Sequence, residues 1–280
     1  MEHFPLTAML AVLLSAVSCN NTPDRNFAGA TKVQYSDTIR EKPENALRIV
    51  QYNVGVFSKE TDDSSPLVAA MLKHMKADAV CLNELDSCNR RHENYQLKDF
   101  SVALGGWNYR FSRAMAWNGG AYGVGIALKT QITDSRTISL PRSDGSEPRA
   151  CCVVETADYV LAATHLDFQS ADAALLQAKL LSDELLGKYG KSKKAVVLCG
   201  DMNATPDSPV INELSKNWII LSARKATYPA KAPSKCIDYI MLLKNDSEAV
   251  LLGSATVSSI SDGNIADLSD HLPLIVDLQL

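Results

Sequence analysis

The chain has 280 residues, of which 46% are hydrophobic and 21% are charged. This composition is typical of a globular protein and excludes an intrinsically disordered one, and the length allows one large α/β domain or two smaller domains. The formal net charge of -4 and the absence of a long basic run argue against a protein that binds duplex DNA avidly through charge alone.

An apolar run, Phe4 to Val17, opens the chain. It is shorter than the roughly 20 residues of a membrane-spanning helix and is typical of a secretory signal peptide. The small residues before Cys19 resemble the cleavage box of bacterial lipoproteins, in which that cysteine becomes the lipidated first residue of the mature protein. No lysine or arginine precedes the run, so a plain signal peptide with an incidental cysteine is the alternative.

Three segments follow from this pattern. We predict a signal peptide over residues 1–19, a flexible tether over residues 20–45, where polar residues dominate, and one domain over residues 46–280. We expect the protein to contact the membrane only through a lipid anchor, on the periplasmic or the outer surface of the cell envelope, or else to be secreted. A monomer is expected.

Within the domain, apolar runs and period-two alternation predict strands, and wider apolar spacing predicts helices. The predicted strands cover residues 47–53, 79–84, 124–128, 150–155, 159–167, 195–200, 236–243 and 274–278. A long helix is predicted over residues 170–189, and two others are predicted to begin at Ser65-Pro66 and Ser208-Pro209, because serine and proline favour the first turn of a helix.

One of these strands ends in a conspicuous polar pair. The apolar run Val196 to Cys199 stops at Gly200, and Asp201 and Asn203 follow with one residue between them. On an extended chain both side chains would face the same side. A carboxylate beside a carboxamide supplies an anionic oxygen and a neutral donor, as a metal-assisted phosphate site requires. Taken alone, an ordinary Gly-Asp turn is the alternative.

Similar polar residues recur at or beside other strand ends. The full set is Asn53, Glu84, His165, Asp201, Asn203, Asp238, Asp270 and His271. In layered α/β folds the ends of separate strands converge on one pocket. A lone histidine is more often a core or surface group than a catalyst. Two histidines, four acids and two asparagines in equivalent positions indicate a functional site.

The cysteines do not indicate a zinc site, because none of the six after Cys19 lies in a paired Cys-x-x-Cys spacing. Cys81 and Cys199 lie within apolar strands, where buried free thiols are expected. The adjacent Cys151 and Cys152 are expected to face opposite sides of a strand. The sequence does not decide whether Cys88 or Cys236 forms a disulfide.

These motifs, in this order, resemble those of the endonuclease/exonuclease/phosphatase superfamily, which has the deoxyribonuclease I-like fold. The resemblance extends from about Leu47 to Leu280. Its pieces are Tyr52-Asn53, Asn83-Glu84-Leu85-Asp86, Gly119-Gly120-Ala121-Tyr122-Gly123, Glu147-Pro148-Arg149, Thr164-His165-Leu166-Asp167, Gly200-Asp201-Met202-Asn203, Ile237-Asp238-Tyr239 and Ser269-Asp270-His271. The resemblance implies a four-layer α/β sandwich of two mixed β-sheets flanked by helices, and hydrolysis of a phosphoester that depends on Mg²⁺ or Mn²⁺.

The resemblance also implies a role for each residue of the set. Glu84 would be the main metal ligand, with Asn53 and Asp270. Asp201 and Asn203 would orient the attacking water and hold the phosphate, and His165 would donate to a phosphate oxygen. Asp238 would support His271, which we predict to be the general base. Asp201 is the other candidate for the proton of the water.

Two features separate the chain from the DNA-repair branch of the superfamily. Leu85 and Asp86 follow Glu84 where that branch has threonine and lysine, and a secretory leader precedes the domain. The chain is more similar to a secreted bacterial branch, and Tyr122, Arg149 and Arg91 are its candidate substrate contacts. The substrate would be a nucleic acid, a phospholipid headgroup or a sugar phosphate. The alternative function is a non-catalytic binding lipoprotein that retains the fold.

Overall fold

The computed structural model describes residues 34–36, 41–260 and 263–280. The predicted signal peptide with Cys19, and most of the predicted tether, lie outside this part of the chain. Among the residues that are described, no helix combines the length and the apolar character needed to cross a membrane.

Thirteen strands and four α-helices make up the described part of the chain. The strands are β1 Gln34–Ser36, β2 Leu47–Asn53, β3 Ala79–Ser87, β4 Asn108–Trp117, β5 Gly120–Leu128, β6 Asp134–Ser139, β7 Ala150–Glu155, β8 Tyr159–His165, β9 Ala195–Asp201, β10 Trp218–Ile220, β11 Asp238–Leu243, β12 Val250–Thr256 and β13 Leu274–Gln279. The helices are α1 Ser65–His74, α2 Gln96–Ala103, α3 Ala171–Tyr189 and α4 Pro209–Asn217.

The strands form two mixed sheets. The first sheet has the order β1-β12-β13-β2-β3-β5-β4, and the second has the order β10-β11-β9-β8-β7-β6. A parallel pair lies near the middle of each sheet, β2 with β3 in the first and β8 with β9 in the second. The carboxyl ends of these four strands carry most of the predicted site.

Alternating side chains divide the interior into three apolar layers. In β2, Val50 and Tyr52 pack outward beneath α1 and α2, whereas Ile49 packs inward between the sheets. The second sheet repeats the pattern, with its outer face covered by α3 and α4. Cys151 belongs to the outer layer and Cys152 to the inner one, as their adjacency predicted. The predicted four-layer α/β sandwich is confirmed.

The six cysteines after Cys19 are free thiols, and Cys81 and Cys199 are buried as expected. Cys88 and Cys236 are both free thiols, so the possible disulfide is not formed among the described residues.

Several elements differ from the sequence-based expectations. Strand β1 lies within the segment predicted as a tether, and it pairs in parallel with β12 at the edge of the first sheet. The first sheet therefore includes a strand that precedes residue 46. Strands β4 and β6 and helix α2 were not predicted, because polar and apolar residues mix in them and weaken the periodic signal. Strands β10 and β12 are mostly apolar and were also not predicted; β10 has only three residues.

Candidate active site

The site is built where strand ends of both sheets meet. In the second sheet, the pairing register places His165 opposite Asp201 and Asp201 opposite Asp238, so that three predicted residues stand side by side on β8, β9 and β11. In the first sheet, the register places Asn53 of β2 opposite Asn83 of β3. The structure therefore brings together residues that are far apart in the sequence.

Glu84 owes its position to an irregularity in β3. The strand was predicted to end at Glu84, but it continues to Ser87, and its register with β5 shifts between Leu82 and Leu85. Glu84 has φ 56°, a left-handed conformation that is uncommon for a residue with a side chain. Such a bulge re-aims a side chain without ending the strand. The Glu84 carboxylate accepts a hydrogen bond from Asn53 Nδ2 at 3.0 Å.

Asn83 ties the two sheets together behind the site. Its Oδ1 accepts from Gln51 Nε2 at 2.5 Å and from the backbone N–H of Asp201 at 2.9 Å. Its Nδ2 donates to the carbonyl of Thr164 at 2.7 Å. Asn83 is fully buried. This single amide fixes the distance between β3 of the first sheet and β8 and β9 of the second.

His271 and Asp238 form a buried pair. His271 Nδ1 lies 2.8 Å from Asp238 Oδ2, and Thr227 Oγ1 donates to the same oxygen at 2.6 Å. The ring of Tyr228 packs against the imidazole with the ring centroids 4.9 Å apart. A carboxylate on Nδ1 orients the ring so that Nε2 faces the centre of the site. This pairing agrees with the role predicted for Asp238.

Asp201 lies close to four other residues of the site. Its Oδ2 accepts from Asn53 Nδ2 at 3.2 Å and lies 3.5 Å from His165 Nε2 and 3.7 Å from His271 Nε2. Its Oδ1 accepts the backbone N–H of Asn203 at 2.9 Å. Asn203 has φ 47° and donates from Nδ2 to the carbonyl of Leu166 at 3.1 Å, so its side chain is held across the end of β8.

Burial and charge shift the pKa values of these groups. Burial and the nearby Asp238 carboxylate raise the pKa of Asp201 to about 7. Burial alone would lower the pKa of His271, but Asp238, Asp201 and Asp270 outweigh it and raise the pKa to about 9. Burial, with Arg149 and His271 nearby, holds the pKa of His165 well below its usual value. With a pKa of about 9, His271 is an imidazolium at neutral pH, whereas the lowered pKa of His165 favours its neutral form.

The predicted metal ligands occupy one corner of the site, and a lysine lies between two of them. Lys59 Nζ is 2.8 Å from Asp270 Oδ2 and 3.7 Å from Glu84 Oε2. Burial would lower the pKa of Lys59, but Glu84 and Asp270 raise it above its ordinary value, which keeps the ammonium charged. Two carboxylates from different segments therefore already converge on one cation. We call Asn53, Glu84 and Asp270 the metal corner.

This donor set suits Mg²⁺ or Mn²⁺, which prefer carboxylate and amide oxygens. Asn53 presents Nδ2 to Glu84, while its Oδ1 accepts the backbone N–H of Gly55 at 3.2 Å. Its amide oxygen would have to turn toward the ion in order to bind it. A second group, Asp201, Asp238 and His271, is also close enough to hold an ion. That group includes an imidazole nitrogen, whereas the metal corner offers oxygen donors alone, which suit these hard cations better.

A cavity of about 650 Å³ opens over these groups. Tyr122 and Arg149, two of the predicted substrate contacts, line it, and Arg149 pairs with Glu147 at 3.2 Å. Arg149 is only 4% exposed, and its Nε has no partner among the described residues. The central guanidinium carbon lies 5.7 Å from the centre of the Phe168 ring. Arg91, the third predicted contact, does not line the cavity, because its guanidinium is paired with Asp86 at 2.7 and 3.0 Å.

The sequence reasoning missed Lys59, Thr227 and Phe168. Lys59 lies in a loop in which Val56 and Phe57 both have positive φ, near 51° and 56°. A left-handed backbone conformation is rare at a β-branched residue such as Val56, so the sequence does not predict this turn. Thr227 comes from an irregular segment before the cis Tyr228–Pro229 bond. Only Phe168 had a cue, since it follows the His165-Leu166-Asp167 motif directly.

Fold and site together define a class of protein: a two-sheet sandwich with an acid, amide and histidine site across the ends of its central strands. The model of the "Endonuclease/Exonuclease/phosphatase family" matches residues 50–271, and the chain belongs to this family. Membership confirms the predicted family and the prediction of a phosphoric ester hydrolase. None of the curated proteins matches the sequence.

Solved structures share the fold at low sequence identity. A mannosyl-6-phosphatase of Bacteroides thetaiotaomicron VPI-5482 has a TM-score of 0.70 and 18% identity, and the match covers 84% of this chain and 100% of that one. The human Nocturnin catalytic domain with a bound sulfate has a TM-score of 0.64 and 18% identity, with 84% and 93% covered. A humanized D. rerio TDP2 has a TM-score of 0.65 and 16% identity, and the match covers 85% of this chain and 100% of that one.

Proposed function

We propose that this protein hydrolyses a small phosphoester with the help of a divalent cation, Mg²⁺ or Mn²⁺, held by the metal corner. One observation carries the proposal: the metal corner and the Asp201–His271–Asp238 group lie in direct contact, joined by Asn53 Nδ2, which is 3.0 Å from Glu84 and 3.2 Å from Asp201. A cation bound there would neutralise charge on the phosphate and leaving-group oxygens.

The other residues supply the remaining parts of the reaction. Phosphoryl transfer needs a positioned water, an acceptor for its proton and donors for the equatorial oxygens. With a pKa of about 7, Asp201 is suited to accept the proton near neutral pH. Since the pKa of His271 is about 9, His271 would donate to a phosphate oxygen instead of acting as the predicted base. Neutral His165 and Asn203 would supply the other donors.

The cavity favours a compact substrate with a polar ring next to the phosphate. Arg149 has an unpartnered buried N–H, and Phe168 is 58% exposed, so one wall offers a charged donor beside an aromatic face. Such a wall suits a ring that carries hydroxyl groups, as in a sugar phosphate. The mannosyl-6-phosphatase with the same fold acts on a substrate of this kind, as its name states. A nucleic acid and a phospholipid headgroup are the competing substrates.

The test is a substrate panel with Mn²⁺ or Mg²⁺ and the full chain. We would assay a hexose phosphate, para-nitrophenyl phosphate, bis(para-nitrophenyl) phosphate, supercoiled plasmid and phospholipid vesicles. The proposal predicts that the hexose phosphate is the best substrate and that EDTA and Glu84→Gln abolish its turnover. The matched control is Glu184→Gln, which changes an exposed glutamate on α3 that pairs with Arg136. Preferred plasmid or lipid cleavage would overturn the substrate class, and inactivity on every substrate would favour a binding protein.

We also propose that the protein is a monomer anchored to the cell envelope through a lipid on Cys19. The support is the sequence alone, namely an apolar run followed by small residues and a cysteine. Metabolic labelling with a palmitate analogue tests this location, because Cys19→Ala should abolish labelling and release the protein from membranes. Labelling that survives the substitution would refute the anchor.

A further inference from the structure

Lys59 lies against the metal corner, and the proposed reaction does not use it. It reaches the corner from the loop after β2, and its ammonium lies between Asp270 and Glu84 at 2.8 and 3.7 Å. Its side chain is 43% exposed, so that the ammonium has a path into the open cavity that it lines. A cation in the same place as the proposed metal ion must either leave or share the carboxylates.

The loop holds the lysine stem in this position. Gly55 has φ 52°, and a Cβ placed on it would lie 2.9 Å from Lys59 Cβ and 3.0 Å from Lys59 Cδ. The backbone of Gly55 therefore packs directly against the stem. Val56 and Phe57 continue the left-handed turn. Strained backbone persists when the surrounding structure enforces it, and it is concentrated at functional sites. The turn delivers Lys59 to the corner.

We propose that Lys59 is a built-in counter-ion of the metal corner, which a divalent cation has to displace from Asp270 before it binds. Two carboxylates that face each other without a cation repel strongly in a partly buried site. Lys59 relieves this repulsion when no ion is bound. The same contact weakens the apparent metal affinity, because the ion competes with a tethered charge. Once displaced, the ammonium is within the cavity, where it can pair with the substrate phosphate.

This inference rests on the proposed function, and a direct binding measurement separates the two. Mn²⁺ affinity is measured by calorimetry, without substrate, on the full chain and on Lys59→Met. We expect the variant to bind Mn²⁺ about ten-fold more tightly, since one competing charge at short range is removed. The Mn²⁺-induced rise in melting temperature should be larger in Lys59→Met as well, because its metal-free form is destabilised.

Two further variants make the result specific. Lys235→Met removes an equal charge from the same cavity, but Lys235 lies over the Tyr228 ring and forms no ion pair with the metal corner in the described structure. Its Mn²⁺ affinity should change by less than about two-fold, the effect of a more distant, screened charge. Glu84→Gln should lose most Mn²⁺ binding, which places the ion in the metal corner.

The outcomes are distinguishable. If the wild type binds Mn²⁺ and Lys59→Met binds it equally or more weakly, Lys59 is not a competitor, and the inference is overturned while the metal site stands. If Lys235→Met shows the same gain as Lys59→Met, the effect belongs to overall charge and the inference fails again. If neither the wild type nor Lys59→Met binds Mn²⁺, both the inference and the metal-dependent function are wrong.

Discussion

At the scale of single residues, the site depends on a few hydrogen bonds that set which group carries a proton. The contact between His271 Nδ1 and Asp238 Oδ2 raises the pKa of His271, and the same carboxylate raises the pKa of Asp201. The buried Asp238 carboxylate therefore favours both a protonated His271 and an Asp201 that titrates near neutral pH. Residue types and strand-end positions were readable from the sequence, but this division of protons was not, since it depends on burial and distance.

Asp238→Asn tests that division through the pH dependence of kcat. A raised pKa means that His271 keeps its proton, and with it the activity, until the pH passes about 9. Without the carboxylate, the pKa should fall to the ordinary imidazole value of about 6.5 or below. The alkaline limb of the kcat profile should therefore move to lower pH. The acidic limb should move to lower pH in either case, because Asp238 also raises the pKa of Asp201. If His271 were the general base, the alkaline limb would stay in place, and that result would refute the assignment.

Asn83→Ala tests the amide that joins the two sheets. The substitution leaves Gln51 Nε2, the Asp201 N–H and the Thr164 carbonyl without their buried partner. Each unsatisfied buried group costs about 1–3 kcal/mol, so we expect a loss of about 3 kcal/mol in the free energy of unfolding. Urea denaturation measures it. Asn108→Ala, which removes an exposed side chain with two backbone contacts, should cost less than about 1 kcal/mol.

At the scale of elements, β3 shows where sequence reasoning succeeds and where it stops. The apolar run Ala79 to Leu82 predicted the strand, and Glu84 was predicted to be a site residue. The prediction that the strand ends there was wrong, because the chain bulges at Glu84 and resumes pairing with β5. A bulge is decided by its partner strand, which one segment of sequence does not contain. The resumed strand carries Asp86, the partner of Arg91 and His92.

Asp86→Asn tests whether that resumed strand is stabilised by charge. Burial raises the pKa of Asp86, but Arg91, His92 and Asn89 outweigh it and lower the pKa below the ordinary value. The stabilisation is therefore fully present above the unfolded pKa of about 3.9 and is lost as the pH falls through the folded pKa. At neutral pH the variant should lose about 2 kcal/mol of stability. Urea unfolding at several pH values should show this difference vanish in acid, and a constant difference would contradict the charged role.

At the scale of the whole molecule, the site exists because two sheets pack face to face. Asn53 and Glu84 come from the first sheet and His165, Asp201 and Asp238 from the second, and the apolar layer between the sheets fixes their separation. Strand patterns predicted the separate ends but not which ends would meet. The prediction that these ends meet came from the ordered motifs that resemble a known family. The packing of the two sheets explains why those motifs lie at strand ends.

The central claim is that the metal corner and His271 act on one phosphate, and kcat of single and double variants tests it most directly. The assay uses saturating Mn²⁺ and the best phosphoester of the panel. Glu84→Gln and His271→Gln should each lower kcat by about 10³ or more. The kcat of the double variant should be little lower than that of the less active single variant, because groups that act as a unit have non-additive effects. Melting temperatures near that of the wild type would exclude unfolding. Wild-type kcat in either folded variant would contradict the account.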